Sequence, residues 1–292
     1  MASNKRQRKK TNQAARRAAL EAARKRQQRK RQVLNFGGIA LGVVLLALLI
    51  GVIAKKGGNG SGGSASSSTT ATTTAKGELL SVPSVPPGKA IKGDTPCPKP
   101  TGEARASTFE KAPPMCIDQA KAYRAVFTTS AGVVKVNLDT KRTPQTVNNF
   151  VVLARYGYYA GSSFQRTDPS IDIIQGGAPN TQSISDPGPG YTIKDEGGKF
   201  TYTEGDLVMA RSQGADSGSA QYFFSAGPKT SSLDAQGTYV TFGKVSEGLD
   251  ILKKVLASHV DCPTADPAGG SSCLGGAPQP PVEVKTIAIE EA

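Results

Sequence analysis

Nineteen consecutive residues without a charge, Phe36 to Ala54, divide this 292-residue chain into parts that cannot share one fold. A bilayer core of about 30 Å is crossed by roughly 20 apolar residues in a helix, so the run has the length of a transmembrane span. Residues 1–32 hold thirteen Lys and Arg against the single Glu21, so nearly all of the formal charge of +13 resides there. That bias places the N-terminal side in the cytoplasm and the remainder across the membrane. A cleaved signal peptide would carry an apolar region of only about 7–15 residues followed by a small-x-small site. No clean site of that kind precedes Lys55-Lys56. The expected organisation is a basic cytoplasmic tail over 1–32 and one transmembrane helix over 33–54. Beside such a span the basic tail sets topology and attracts anionic lipid head groups. Lys/Arg-rich runs also bind nucleic acid, but here that is the weaker reading.

Residues 55–78 form a Gly/Ser/Thr-rich linker with no apolar side chain large enough to seed a core. About 20 such residues span about 25 Å as a flexible coil. Prolines accumulate through 79–121 without any period, which reads as an extended extracytoplasmic arm. The globular domain is expected over 122–292.

Within that domain the pattern is mainly β. Arg124 to Leu138 alternates apolar and polar residues around Ser130-Ala131-Gly132, a β-hairpin signature. Thr143 and Pro144 have the chemistry of a helix start. Val147, Phe150, Val151 and Ala154 then share one helical face, and Gly157 ends it. A second helix is expected from about Glu247 to Ala257, with Leu249, Leu252 and Leu256 inward. Val282 to Ile289 alternates again and should close the sheet. Two helices with many antiparallel strands fit either a barrel or a sandwich.

Cys97, Cys116, Cys262 and Cys273 include no C-x-x-C pair, and His259 is the only histidine, so neither a metal site nor a cofactor is expected. An even count facing an oxidising compartment favours disulfides. Pairing of neighbours, Cys97 with Cys116 and Cys262 with Cys273, is expected over the other two connectivities. The lone His259 follows a predicted helix in no nucleophile context, which argues against a Ser-His-Asp hydrolase and reads as a surface residue. The Gly-Gly pairs at 176–177 and 197–198 read as turns.

The chemistry lies in polar groups set inside strand-like runs. Phe164-Gln165-Arg166 is followed by Gln175-Gly176-Gly177, then by Gly218-Ser219-Ala220-Gln221-Tyr222-Phe223, then by Leu233-Asp234 and Tyr239 to Val245. Buried polar groups need partners, so Arg166, Gln175 and Gln221 require a reason to be there. The order and spacing of these four blocks resemble the cyclophilins, over about residues 122–290. The resemblance implies a closed eight-stranded antiparallel β-barrel with a helix over each open end. It also implies a peptidyl-prolyl cis-trans isomerase acting on proline-containing polypeptides. In a bacterial, membrane-anchored member the isomerase domain would be extracytoplasmic.

Carried over position by position, the resemblance makes Arg166 the catalytic donor, Gln175 its support and Gln221 a contact for substrate backbone. Phe164, Ile173, Met209, Ala210, Phe223, Leu233 and Tyr239 fall on substrate-binding positions. Several departures alter the rim of that pocket. The family's histidine before the arginine is Gln165 here. One extra residue between Arg166 and Gln175 puts the family's pocket phenylalanine on Ile171 or Asp172. Ala210-Arg211 replaces the usual Ala-Asn, and Ser232 replaces a frequent tryptophan. The alternative these departures leave is a peptide-binding module or chaperone on the same fold, with weak or no isomerase activity.

Overall fold

The computed structural model describes residues 82, 84–212, 214–262 and 274–291. The tail, the span and the linker expected over 1–78 lie outside the described residues. Among the described residues no helix is long and apolar enough to cross a membrane.

In chain order the elements are β1 (Lys89–Ile91), β2 (Ala106–Phe109), β3 (Tyr123–Thr129), β4 (Gly132–Leu138), α1 (Pro144–Arg155), β5 (Ser162–Ser163), β6 (Arg166–Asp168) and β7 (Ile173–Gly176). They continue with β8 (Asp206–Arg211), β9 (Gly218–Ser225), a 3-10 helix (Pro228–Leu233), β10 (Thr241–Glu247), α2 (Leu249–Ala257), β11 (His259–Asp261), β12 (Gly276–Pro278) and β13 (Glu283–Glu291).

The hairpin forms where alternation placed it. Tyr123, Ala125 and Phe127 on β3 and Val134, Val136 and Leu138 on β4 turn inward, as strand periodicity requires. Helix α1 starts at Pro144, but the Thr143 hydroxyl donates to the Asp139 carbonyl instead of capping. The first-turn amides of Gln145 and Thr146 donate to the Glu196 carboxylate, which lies on a distant loop. A carboxylate there also suits the positive end of the helix dipole. The second helix begins at Leu249 and not at Glu247, because Gly248 sits at φ +87°. A Cβ at Gly248 would come within 2.5 Å of the Val133 carbonyl oxygen.

The expected eight strands are corrected to eleven in the main sheet, in the order β11-β12-β6-β7-β9-β8-β10-β4-β3-β13-β5. The additions are the two-residue β5 and the antiparallel pair β11–β12, which lies along β6. Among the described residues the two outermost strands do not pair, so the ladder is not closed. The sheet nevertheless curls back on itself. Strands β5 and β6 stand eight positions apart, about 38 Å in a flat sheet at ~4.8 Å per strand. Only Phe164-Gln165 joins them, and three Cα steps reach at most about 11 Å.

Aromatic rings fill the interior. Phe150 lies 5.2 Å from both Tyr159 and Phe242, and 6.0 Å from Phe127 and Tyr222, centroid to centroid. Helix α1 packs on β9 and β13, while α2 packs on β4, β7 and β12.

The arm contributes to the same core through Ala106, Phe109 and Ile117. Its β1 and β2 pair in parallel, and Asn148 of α1 holds it by accepting from the Cys116 amide at 2.7 Å and donating to the Pro114 carbonyl at 2.8 Å. Cys97 and Cys116 form a disulfide across a separation of 19 residues. Of the expected second pair, Cys273 lies outside the described residues. Closing a loop of this size contributes about 3 kcal/mol in the chain-entropy model. Replacing Cys97 and Cys116 together by serine should therefore lower urea-unfolding stability by about that amount. An unchanged midpoint would show that the arm is held by its packing alone.

Candidate active site

Cross-strand register assembles the site. Arg166 on β6 stands opposite Gln175 on β7, and Gln175 stands opposite Phe223 on β9. Residues directly opposite in a ladder share a face, as do residues two apart on one strand. Ile173 and Gln221 therefore join that row, while Ile174, Tyr222 and Phe224 turn to the aromatic core.

A chain of hydrogen bonds runs along the row. Arg166 donates through Nη1 to Gln175 Oε1 at 3.1 Å, and Gln175 Nε2 donates to Gln221 Oε1 at 2.8 Å. Gln221 Nε2 donates in turn to the Ile184 carbonyl at 3.2 Å. The Gln165 amide lies 3.2 Å from Gln221 Oε1. With its oxygen and nitrogen exchanged, its NH2 donates to the Ser163 and Gln175 carbonyls instead. Arg166 Nε is buried without a partner.

Beside this chain lies an apolar surface. The Phe223 ring is buried and meets Tyr239 edge-on at 5.8 Å. The Tyr239 backbone is clamped by the Tyr202 hydroxyl, which accepts from its amide at 2.8 Å and donates to its carbonyl at 3.0 Å. Burial pushes the Tyr202 phenol up to about 12, so it keeps the proton that it donates. Leu233 ends the 3-10 helix, half-buried against the core, and Ala210 is half-buried near the end of β8. Ala210 also lines a cavity of about 290 Å³ together with Gln175, Gln221, Ile184, Tyr191 and Arg211.

Two of the expected substrate-binding residues sit on the other face. Met209 stands opposite Tyr222, and the Phe164 ring lies 6.1 Å from Phe224, so both side chains belong with the aromatic core. Of the two residues on which the pocket position could fall, Asp172 is turned away from regular strand geometry. It takes φ +53°, its carbonyl accepts from the Ala226 amide, and its carboxylate accepts from the Lys229 amide at 2.9 Å. That carboxylate fastens the start of the 3-10 helix, while Ile171 packs partly buried against the core. At the rim, Arg211 is tied to Asp195 and Thr238 and stands over the Tyr239 ring at 5.4 Å.

Two features escaped the sequence reading. Asp168 accepts from Arg166 Nη2 at 2.7 Å, a pairing that i, i+2 spacing on one strand could have signalled. Burial pushes the Asp168 carboxyl up, but the Ser170 hydroxyl and amide and the Arg166 guanidinium outweigh it and hold it below its ordinary value. The second is His259. Far from being a surface residue, it lies 2.7 Å from the Thr167 hydroxyl and 3.0 Å from Asp261, so the β11–β12 pair braces β6 from the side opposite Arg166. Among the described residues no cluster of His, Cys, Asp and Glu could hold a metal ion.

The family model for cyclophilin-type peptidyl-prolyl cis-trans isomerases matches residues 124–272. Peptidyl-prolyl cis-trans isomerase B of Bacillus subtilis is 37% identical over 129 residues, covering 44% of this chain and 85% of the relative. A peptidyl-prolyl cis-trans isomerase of Helicobacter pylori is 36% identical over 145 residues, covering 48% and 85% respectively. A crystal structure of a Cryptosporidium parvum cyclophilin-type isomerase covers 58% of this chain and 98% of its own, with 24% identity and a TM-score of 0.44.

Proposed function

The chain belongs to the cyclophilin-type peptidyl-prolyl cis-trans isomerases, and from that membership we propose that Arg166 catalyses the rotation with Gln175 and Gln221 in support. The bond to be turned resists because the prolyl nitrogen shares its lone pair with the carbonyl, a barrier near 18–20 kcal/mol. At the twisted midpoint the lone pair is localised on nitrogen and accepts a hydrogen bond. A guanidinium fixed beside that nitrogen favours the twisted state over both planar ones, which is differential binding. Gln175 holds the guanidinium, and Gln221 presents an amide to the backbone of the substrate. Phe223, Ile173 and Tyr239 form the slot for the proline ring, with Leu233 and Ala210 at its margin. No cofactor enters this chemistry.

The observation that carries this reading is the row Arg166–Gln175–Phe223, which sets a cationic donor beside a buried aromatic surface. A protease-coupled assay with a proline tetrapeptide tests it. The wild-type chain should accelerate cis-to-trans conversion, and the acceleration should depend on Arg166. Acceleration that survives loss of Arg166 would require another donor.

We further infer that the isomerase domain works outside a bacterial cytoplasmic membrane, on proline-containing proteins folding there. The reading rests on the uncharged run Phe36–Ala54, the basic residues before it and the disulfide of the arm. The tail would then lie against anionic lipid on the cytoplasmic side. Protease added to intact, wall-stripped cells should release a soluble fragment of about the size of residues 78–292. Digestion of the N-terminal tail alone would show the opposite orientation.

A further inference from the structure

Resting on the reading of Arg166 as the group that acts on the twisted bond, we propose that Asp168 is the positioning residue for its guanidinium. The two terminal nitrogens of Arg166 are held by different partners. Nη1 donates to the neutral amide of Gln175 on the neighbouring strand, and Nη2 donates to the carboxylate of Asp168 on the same strand. One contact would leave the planar group free to pivot about that point. Two contacts at separate nitrogens remove the pivot and fix the plane before any substrate arrives.

Asp168 is itself fixed. Its Oδ2 takes the guanidinium, while its Oδ1 accepts from the Ser170 amide at 3.1 Å and hydroxyl at 2.5 Å. The side chains of Arg166 and Asp168 are only 15% and 18% exposed, so water screens their attraction little. A charged acceptor forms a shorter and stronger bond to a guanidinium than a neutral one does. The strand beneath cannot shift easily either. Thr167, between the two residues, faces His259 of β11 and pairs across the ladder with Gly276 of β12.

Asp168 therefore acts through Arg166 and not on the substrate. A donor misplaced by about 1 Å can cost on the order of 10²-fold in rate, whereas a planar peptide in its ground state gains little from that donor. Loss of Asp168 should lower turnover and leave peptide affinity unchanged.

The test uses the full chain carrying Asp168→Ala, Asp168→Asn, Asp168→Glu or Arg166→Ala, and the double variant with alanine at both positions. Isomerase kcat/KM is read by the protease-coupled assay, and affinity by titration with a proline peptide. Asp168→Ala should lose on the order of 10- to 100-fold in kcat/KM at unchanged affinity. Asp168→Asn, which keeps the shape and an acceptor, should lose less, and Asp168→Glu should recover part of the loss. In the Arg166→Ala background, removing Asp168 should cost nothing more, the non-additivity expected of two groups acting as one. Full activity of Asp168→Asn and Asp168→Ala, with Arg166→Ala inactive, would overturn the role of Asp168 alone. An equal further loss in the double variant, or a gain in Asp168→Asn, would also overturn it. Full activity of Arg166→Ala would instead remove the reading on which the proposal stands.

Discussion

Arg166→Ala is expected to lose on the order of 10²–10³ in isomerase rate, the usual consequence of removing one preorganised electrostatic donor. The fold should survive. Asp168 keeps both of its bonds to Ser170, and Gln175 keeps its bond to Gln221. The variant should therefore show a wild-type circular dichroism spectrum, with some fall in melting temperature because the Asp168 carboxylate and Gln175 Oε1 each lose the guanidinium. Arg166→Lys should recover little. An ammonium is a point charge on a flexible stem and cannot engage Gln175, Asp168 and a prolyl nitrogen as a planar fork does. A correctly folded Arg166→Ala protein with full activity would eliminate the mechanism.

Phe150→Ala should destabilise the domain by about 3–5 kcal/mol, the range for truncating a buried phenylalanine. The ring is fully buried and touches Phe127, Tyr159, Tyr222 and Phe242. Those neighbours belong to β3, β9, β10 and the segment after α1, so collapse into the cavity would require several elements to move together. Tyr222 stands between Gln221 and Phe223, and the same ring thus supports the strand that carries the site. A fall in the urea midpoint, with the m-value preserved, is the expected readout. An unchanged midpoint would mean that the ring is not part of the core.

Much of the candidate site was legible in the chain because strands alternate. Arg166, Gln175, Gln221 and Phe223 stood out as polar and aromatic residues within apolar runs, and the ladder places them in one row. Alternation fails where a strand is irregular. Asp172 takes a left-handed conformation that a count of residues does not reveal, so spacing left the pocket position open between it and Ile171. Met209 and Phe164 read as pocket residues because they adjoin the right blocks, yet adjacency in sequence does not say which face a side chain occupies. For Met209 the answer lies in its pairing with Tyr222 of β9, which puts it on the face of the aromatic core.

By itself the sequence determined the local elements and the chemistry available to them. The hairpin of β3 and β4, helix α1 and the closing strand β13 follow from periods of 2.0 and 3.6 residues, which depend on neighbours along the chain. Tertiary structure alone decided what was joined across long separations. Glu196 reaches the start of α1, Asn148 grips the arm, Asp172 fastens the 3-10 helix, and His259 braces Thr167 across 92 residues. Each joins segments remote in the chain through one to three hydrogen bonds, and no local period encodes such a pair. The grip of Asp168 on Arg166 lies between the two cases. Spacing put both on one face of β6, but it took the folded strand, with Ser170 turned back onto the carboxylate, to aim one at the other.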